Sequence, residues 1–178
     1  MNEIIQTIIN RRSIRKYESK DVSDDQLKQI FESVRCSPSW ANTQCWHIIV
    51  VRNRSTKEKL QATLTEKNPA IPSIVQAPVV LALCGKQKVS GFYKDIALTK
   101  YGDWFMFDLG LATQSICLTA HSLGLGTVIV GAFDHDKASS ILNIKSDLEL
   151  TVLIPLGYPA HASASPPRKK IMEFVQNE

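Results

Sequence analysis

Residues 103–123 predict a long α-helix that is apolar on almost every side. Gly124-Leu125-Gly126 follows it and is typical of a helix end. A helix without a polar face must be covered all round, so it is either buried in a large core or shared between two subunits. Asp108 stands inside this stretch and is either a paired, buried carboxylate or a solvent-facing one.

The other segments alternate between helical and strand patterns. Ser23 and Gln26 have the spacing of a capping box, Pro69 and Pro72 indicate a loop, and residues 86–100 are ambiguous. Helices are predicted over residues 2–9, 23–35, 55–66 and 135–142, and strands over residues 46–51, 77–84, 127–130 and 148–156. This alternation predicts an α/β or α+β sheet covered by helices.

Size and composition fit one domain with a substantial core. The 178 residues are 44% hydrophobic and contain no linker long enough to divide them, so a single domain over residues 1–178 is predicted. Four cysteines without Cys-x-x-Cys spacing indicate a reduced, cytoplasmic protein without a metal site. Neither a signal peptide nor a membrane-spanning run is recognisable, so no membrane partner is expected.

A basic cluster near the N-terminus provides the first candidate binding residues. Arg11, Arg12, Ser13 and Arg15 lie within five positions, and guanidinium and hydroxyl donors suit a phosphate monoester. The net charge of +4 is mild and fits an anionic ligand. Taken alone, however, the cluster is more typical of a solvated basic surface.

Motifs of several other enzyme classes are absent. The chain has no Walker A string, no His-Glu-x-x-His and no Gly-x-Ser-x-Gly, and Gly124-Leu125-Gly126 lacks the third glycine of a dinucleotide-binding turn. Cys45 and His47 have no third group to complete a triad, so packing roles are predicted for both. Polar anchors without acid–base machinery are typical of an enzyme whose cofactor carries the chemistry.

Four segments, in order along nearly the whole chain, resemble the FMN-dependent nitroreductase family in its shorter, single-domain form. They are Arg11–Tyr17, Ser37–Trp46, Gly124–Phe133, and Leu156–Pro159 together with Pro167–Arg168. The resemblance implies a three-layer sandwich with a central, mostly antiparallel sheet covered by helices. It also implies a homodimer with the long helix at its interface and the FMN sites shared between subunits.

The resemblance further implies which residues bind FMN. Arg15 is the candidate cation for the pyrimidine edge, and Gly131 allows close backbone approach to the ring. The phosphate and ribityl contacts would come from Arg11, Arg12, Ser13, Arg15, Arg168 and Lys169. The ring would lie against Ile129, Val130 and Gly131, and the other subunit would supply Pro38, Ser39, Trp40 and Asn42.

Three positions depart from the family pattern. Cys45 stands where a proline is usual, Trp40 is bulky where a small residue is common, and Pro166 occupies a place that is often basic. Trp40 therefore either forms a wall of the flavin pocket or narrows the substrate space. Pro166 leaves more of the phosphate charge to Arg168.

The activity implied by the family is hydride transfer from NADH or NADPH to flavin N5 and then to a nitroaromatic or quinone. Two alternatives remain open. One keeps FMN but changes the chemistry, as in reductive dehalogenases, flavin-degrading enzymes and dehydrogenases of this superfamily. The other is a non-enzymatic module for a phosphate-bearing ligand or nucleic acid. Because Arg11–Arg15 lacks interleaved aromatic residues, no nucleic-acid partner is predicted.

Overall fold

The computed structural model describes residues 2–178, which form a four-stranded antiparallel sheet covered by helices on both faces. The strands are β1 (Trp46–Val51), β2 (Val79–Lys86), β5 (Gly126–Thr127) and β6 (Leu148–Gly157), in the order β1-β2-β6-β5. A separate short hairpin joins β3 (Phe92–Tyr93) to β4 (Ile96–Ala97). The helices are α1 (Glu3–Asn10), α2 (Asp24–Arg35), α3 (Arg54–Gln61), α4 (Ile71–Gln76), α5 (Phe105–Ser122) and α6 (His135–Ile141).

Strand β2 shows why the sheet needs two helical layers. Side chains alternate along a strand, and every residue from Val79 to Gly85 is buried. Val79, Leu81 and Leu83 pack with α2 and α5 on one face. Val80, Ala82 and Cys84 pack on the opposite face with α3, α4 and α6. The predicted α+β sandwich with a mostly antiparallel sheet is therefore confirmed.

A local signal in the sequence placed the start of α2 correctly. The Ser23 hydroxyl accepts a hydrogen bond from the Gln26 backbone N–H, and the Gln26 side chain accepts one from the Ser23 backbone N–H. This is the predicted capping box. The ambiguous stretch 86–100 contains the β3–β4 hairpin, whose turn residues Lys94 and Asp95 both have positive φ.

Three predictions of secondary structure were wrong in extent. Pro72 lies in the first turn of α4 instead of a loop, since its missing N–H costs nothing there. Helix α3 ends at Gln61 because Leu64 leaves it to pair with Phe133. The predicted strand 127–130 ends at Thr127, and only Val130 pairs again with β6, through Leu153.

Helix α5 is covered on one side only within a single protomer. Leu109, Ala112 and Ile116 are buried in the core on the β2 face. Exposed residues on the other side form a stripe at helical spacing, here called the α5 stripe: Met106, Phe107, Gly110 and Gln114. Among residues 2–178, no helix has both the length and the hydropathy needed to cross a membrane.

Candidate functional site

The basic segment Arg11–Arg15 leaves α1 as extended chain and lies alongside β5. Ser13 pairs with Thr127 in a parallel bridge, and the Ile14 N–H donates to the Thr127 carbonyl at 2.8 Å. A Cβ on Gly126 would lie 2.5 Å from Ile14 Cγ1, so glycine is required for this approach. Because Ile14 is buried and side chains alternate, Arg11, Ser13 and Arg15 point the other way.

Tyr17 fixes the far end of this segment. Its hydroxyl lies 2.7 Å from the Ile14 carbonyl oxygen and 3.1 Å from that of Pro155, both of which accept from it. Burial raises the pKa of Tyr17, so the hydroxyl stays protonated and available as the donor.

Tyr17→Phe should lower the free energy of unfolding by about 1–2 kcal/mol, because two buried carbonyl oxygens lose their donor. Urea denaturation of the two proteins measures this difference. Tyr93→Phe is the matched control, since the Tyr93 side chain is 63% exposed and should change stability very little. Equal stability of all three proteins would show that Tyr17 does not anchor the segment.

The basic segment and the C-terminal tail together form a groove of about 450 Å³, here called the arginine groove. No protein hydrogen bond or ion pair among residues 2–178 uses the guanidinium of Arg11, Arg15 or Arg168. Three cations and a hydroxyl with free donors are a suitable set for a phosphate monoester. The groove is lined by Arg11, Arg12, Ser13, Arg15, Ser163, Ala164, Pro166 and Arg168.

Two basic residues of the predicted set differ from the others. The Arg12 guanidinium turns back to donate to the carbonyl oxygens of Ile9, at 2.5 Å, and Arg11, at 2.9 Å. It therefore caps the C-terminal end of α1 while lining one side of the groove. Lys169 is exposed and does not line the groove.

The segment Ile129–Gly131 presents one side chain to the core and its backbone to the surface. Val130 is buried and exchanges two 2.9 Å backbone hydrogen bonds with Leu153 of β6. Ile129 is half exposed. A Cβ added to Gly131 would meet only Val152, at 4.0 Å, so the outer side of this backbone is open.

The loop Ser37–Cys45 packs along α5, which it contacts at Asp108 and at Ser115. The Trp40 N–H donates to Asp108 Oδ1 at 3.0 Å, and the Trp40 ring lies 5.0 Å from the Trp104 ring. Positive φ angles of 45° at Ala41 and 56° at Asn42 turn the chain sharply at the loop tip. Pro38 and Asn42 are exposed there, so the loop tip faces outward from the protomer.

Asp108 is the centre of the hydrogen bonds that hold this loop. It is 1% exposed and accepts from the Trp40 N–H, from Ser90 Oγ at 2.6 Å and from Cys45 Sγ at 3.5 Å. No cation pairs with it among residues 2–178. Of the alternatives left open by the sequence, Asp108 is therefore buried, but neutral donors rather than a cation satisfy it.

The two residues considered as a nucleophile and base are not arranged for catalysis. Burial and the neighbouring Asp108 raise the pKa of the Cys45 thiol, which disfavours the reactive thiolate. The packing role predicted for Cys45 agrees with its burial, whereas the one predicted for His47 was wrong because His47 is exposed.

Within a single protomer, the two parts of the predicted site, the basic segment Arg11–Arg15 and the loop Ser37–Cys45, lie apart. Arg11 lines a cavity of about 210 Å³ with Cys117 and His121, near the C-terminal end of α5. The loop meets α5 at Asp108 through the Trp40 N–H and at Ser115 through the Ser37 hydroxyl, 2.6 Å away. No residue of the loop lines the arginine groove of its own chain.

Comparison with known proteins identifies the family to which this chain belongs. The model of the nitroreductase family matches residues 8–158. The chain belongs to the nitroreductase family.

Relatives by sequence cover most of the chain. An FMN reductase [NAD(P)H] of Bacillus subtilis is 34% identical over 94% of this chain and 70% of its own length. A Methanothermobacter thermautotrophicus protein with the provisional name NADH dehydrogenase/NAD(P)H nitroreductase is 35% identical over 89% of this chain and 78% of its own length.

A solved structure of the nitroreductase family also matches the whole fold. It is a Desulfovibrio desulfuricans protein, provisionally described as a nitroreductase in complex with FMN, with a TM-score of 0.81 and 26% identity. The match covers 100% of this chain and 98% of that one.

Sequence reasoning missed two features of this nitroreductase-family site. Ser163 lines the arginine groove and donates weakly to the Ser13 carbonyl at 3.4 Å, but nothing in the tail sequence distinguishes it. Ser90 supports the loop through Asp108 and lies in the segment that was ambiguous in sequence.

Proposed function

We propose that this protein is a homodimeric, FMN-dependent oxidoreductase that takes hydride from NADH or NADPH and passes it to a small organic acceptor. A nitroaromatic or a quinone is the proposed acceptor class. The observation that carries the proposal is the arginine groove, in which the guanidiniums of Arg11, Arg15 and Arg168 have no partner among residues 2–178. The names of the relatives support the same activity.

The residues present fit FMN. A phosphate monoester carries up to two negative charges, which Arg11 and Arg168 can neutralise while the Ser13 hydroxyl donates a hydrogen bond. Arg15 lies in the same groove, and we assign it to the pyrimidine edge of the ring, where a fixed cation stabilises negative charge. The open backbone at Gly131 leaves room for the ring to approach.

In the proposed mechanism the protein binds and orients while the cofactor reacts. FMN, when bound, supplies the site that accepts and then gives up hydride. The half-exposed Ile129 side chain gives an apolar surface for an aromatic ring, and the outer backbone at Gly131 lets that ring come close. No side chain of the arginine groove is assigned as a general acid or base.

Unpartnered apolar surface supports the homodimer. Helix α1 packs against α5 and leaves Ile4, Ile5, Ile8 and Ile9 between 44% and 67% exposed. Met106 and Phe107 of the α5 stripe are 59% and 58% exposed. Apolar surface of this extent is typical of a protein–protein interface.

A two-fold axis across the middle of α5 would also complete the site. Antiparallel α5 helices would bring the Asp108 end of one protomer beside the Cys117 end of the other. The loop of one subunit, with Pro38, Ser39, Trp40 and Asn42, would then face the arginine groove of its partner. Gly110 lies in the α5 stripe with nothing near its missing Cβ, so a second helix can approach there.

Steady-state turnover tests the proposed reaction. The purified protein should oxidise NADH or NADPH faster when a nitroaromatic or a quinone is present. Reduction of bound FMN by NAD(P)H without turnover of either acceptor would favour the alternative FMN chemistries over this one. The four free cysteines support a reducing compartment, and we place the protein in the cytoplasm.

A further inference from the structure

His135 makes contacts that the proposed reaction does not use. It is the first residue of α6, and its ring stacks on Phe133 with a centroid separation of 4.0 Å. Its Nδ1 lies 2.8 Å from the Leu150 carbonyl oxygen, and its Nε2 lies 3.1 Å from the Gly131 carbonyl oxygen. Both partners are acceptors, so the ring nitrogen that makes each bond must carry a hydrogen: a neutral imidazole has one N–H and donates to one carbonyl at a time, and only the doubly protonated ring donates to both.

The contact of His135 with Gly131 completes the fixation of the Ile129–Gly131 segment. The Val130 carbonyl accepts from the Leu153 N–H of β6 at 2.9 Å, and the Gly131 carbonyl accepts from His135. Each of the two peptide groups that flank the Gly131 Cα is therefore held through its oxygen. Without a side chain, glycine would otherwise allow the second peptide group to rotate.

The hydrogen bond of the Val130 carbonyl with β6 determines where the Gly131 N–H points. In a trans peptide the N–H is opposite the carbonyl of the preceding residue. Because the Val130 carbonyl points to β6, the Gly131 N–H points away from the sheet. It makes no hydrogen bond to any atom of residues 2–178 and is directed to the open outer side of the segment.

We propose that His135 is a positioning residue for the flavin. By holding the Gly131 carbonyl, it fixes the peptide group after Gly131, while the Leu153 N–H holds the peptide group that carries the free N–H donor. Together the two contacts keep the Gly131 backbone in one conformation against the bound ring. The role belongs to the ring with a hydrogen on Nε2, and the stack on Phe133 sets the orientation of the imidazole. This inference rests on the proposed FMN-dependent function.

Three substitutions of His135 distinguish the contribution of Nε2 from that of Nδ1. In His135→Gln the amide nitrogen takes the place of Nε2 and can still donate to Gly131. In His135→Asn the amide nitrogen takes the place of Nδ1 and can donate only to Leu150. His135→Phe keeps the stack on Phe133 and removes both donors. We expect His135→Gln to retain FMN affinity, and the other two variants to bind FMN about three- to tenfold more weakly.

Two measurements test this expectation. Fluorescence titration of each apoprotein with FMN gives the affinities, and urea denaturation gives the stabilities. Hydrogen exchange of the peptide containing Gly131, in the apoprotein, should be faster in His135→Asn and His135→Phe than in the wild type and His135→Gln. A purely structural role would make affinity follow stability, with no rescue by glutamine.

Equal affinities and equal exchange in all four proteins would overturn the role of His135 but leave the proposed function intact. Equal losses of FMN affinity in His135→Gln and His135→Asn would also overturn the role of His135 and leave the proposed function intact. Wild-type apoprotein that takes up no FMN would overturn the proposed function, and the inference with it.

Discussion

Replacing Gly110 by glutamate should yield a monomer that no longer retains FMN. Gly110 lies in the α5 stripe, and a Cβ there meets no atom within 4 Å in the protomer. Glutamate is also a better helix former than glycine by roughly 0.5–1 kcal/mol, so the protomer should fold. In the proposed interface, however, each substitution would bury a carboxylate without a partner against the other helix, which is strongly unfavourable. Light scattering after size exclusion and the flavin content of the peak measure both effects.

The matched control for Gly110→Glu is Ser55→Glu. It adds the same exposed charge to α3, which packs on the opposite face of the sheet from α5. This control should remain a dimer with bound FMN. A Gly110→Glu protein that is still a flavin-containing dimer would contradict the proposed interface, and a flavin-containing monomer would contradict the shared site.

Arg11→Ala should weaken FMN binding by about 10- to 150-fold, the equivalent of about 1.5–3 kcal/mol for a charge-assisted hydrogen bond. The Arg11 guanidinium lines the arginine groove without a partner in the described part of the chain, so its loss should affect FMN more than the fold. Titration of the apoprotein, followed by quenching of FMN fluorescence, gives the dissociation constant.

Lys16→Ala is the control for Arg11→Ala. Lys16 belongs to the same basic stretch but is exposed and does not line the groove. Its removal lowers the net charge equally, so it separates a specific contact from a general electrostatic effect. If both substitutions reduce affinity by the same small factor, the cluster is only a basic surface.

Features decided by neighbouring residues could be predicted from the sequence. The capping box at Ser23 and the doubly buried strand β2 depend on local spacing and apolar runs, and the structure confirms both. The ends of α3 and β5 were wrong because distant pairings, Leu64 with Phe133 and Val130 with Leu153, set them. Such pairings leave no periodic signal in the chain.

The candidate site likewise contains some residues that the sequence could identify and others whose positions depend on distant parts of the chain. The basic stretch was recognisable from residue type, and the structure brings Arg11, Ser13 and Arg15 together with the distant Arg168. Their binding of FMN stays a prediction. The sequence could not show that Arg168, and not Lys169, lines the groove, because this depends on the path of the C-terminal tail. The role of Asp108 was undecidable because its donors, Ser90 and Trp40, come from two other segments.

The most direct test of the central claim is the visible spectrum of the purified protein under nitrogen, before and after addition of NADH or NADPH. The account predicts a yellow protein, as isolated or after incubation with FMN, whose flavin absorption is bleached by the nicotinamide nucleotide. The absorption should return when a nitroaromatic or a quinone is added. A colourless protein that takes up no added FMN would contradict the account.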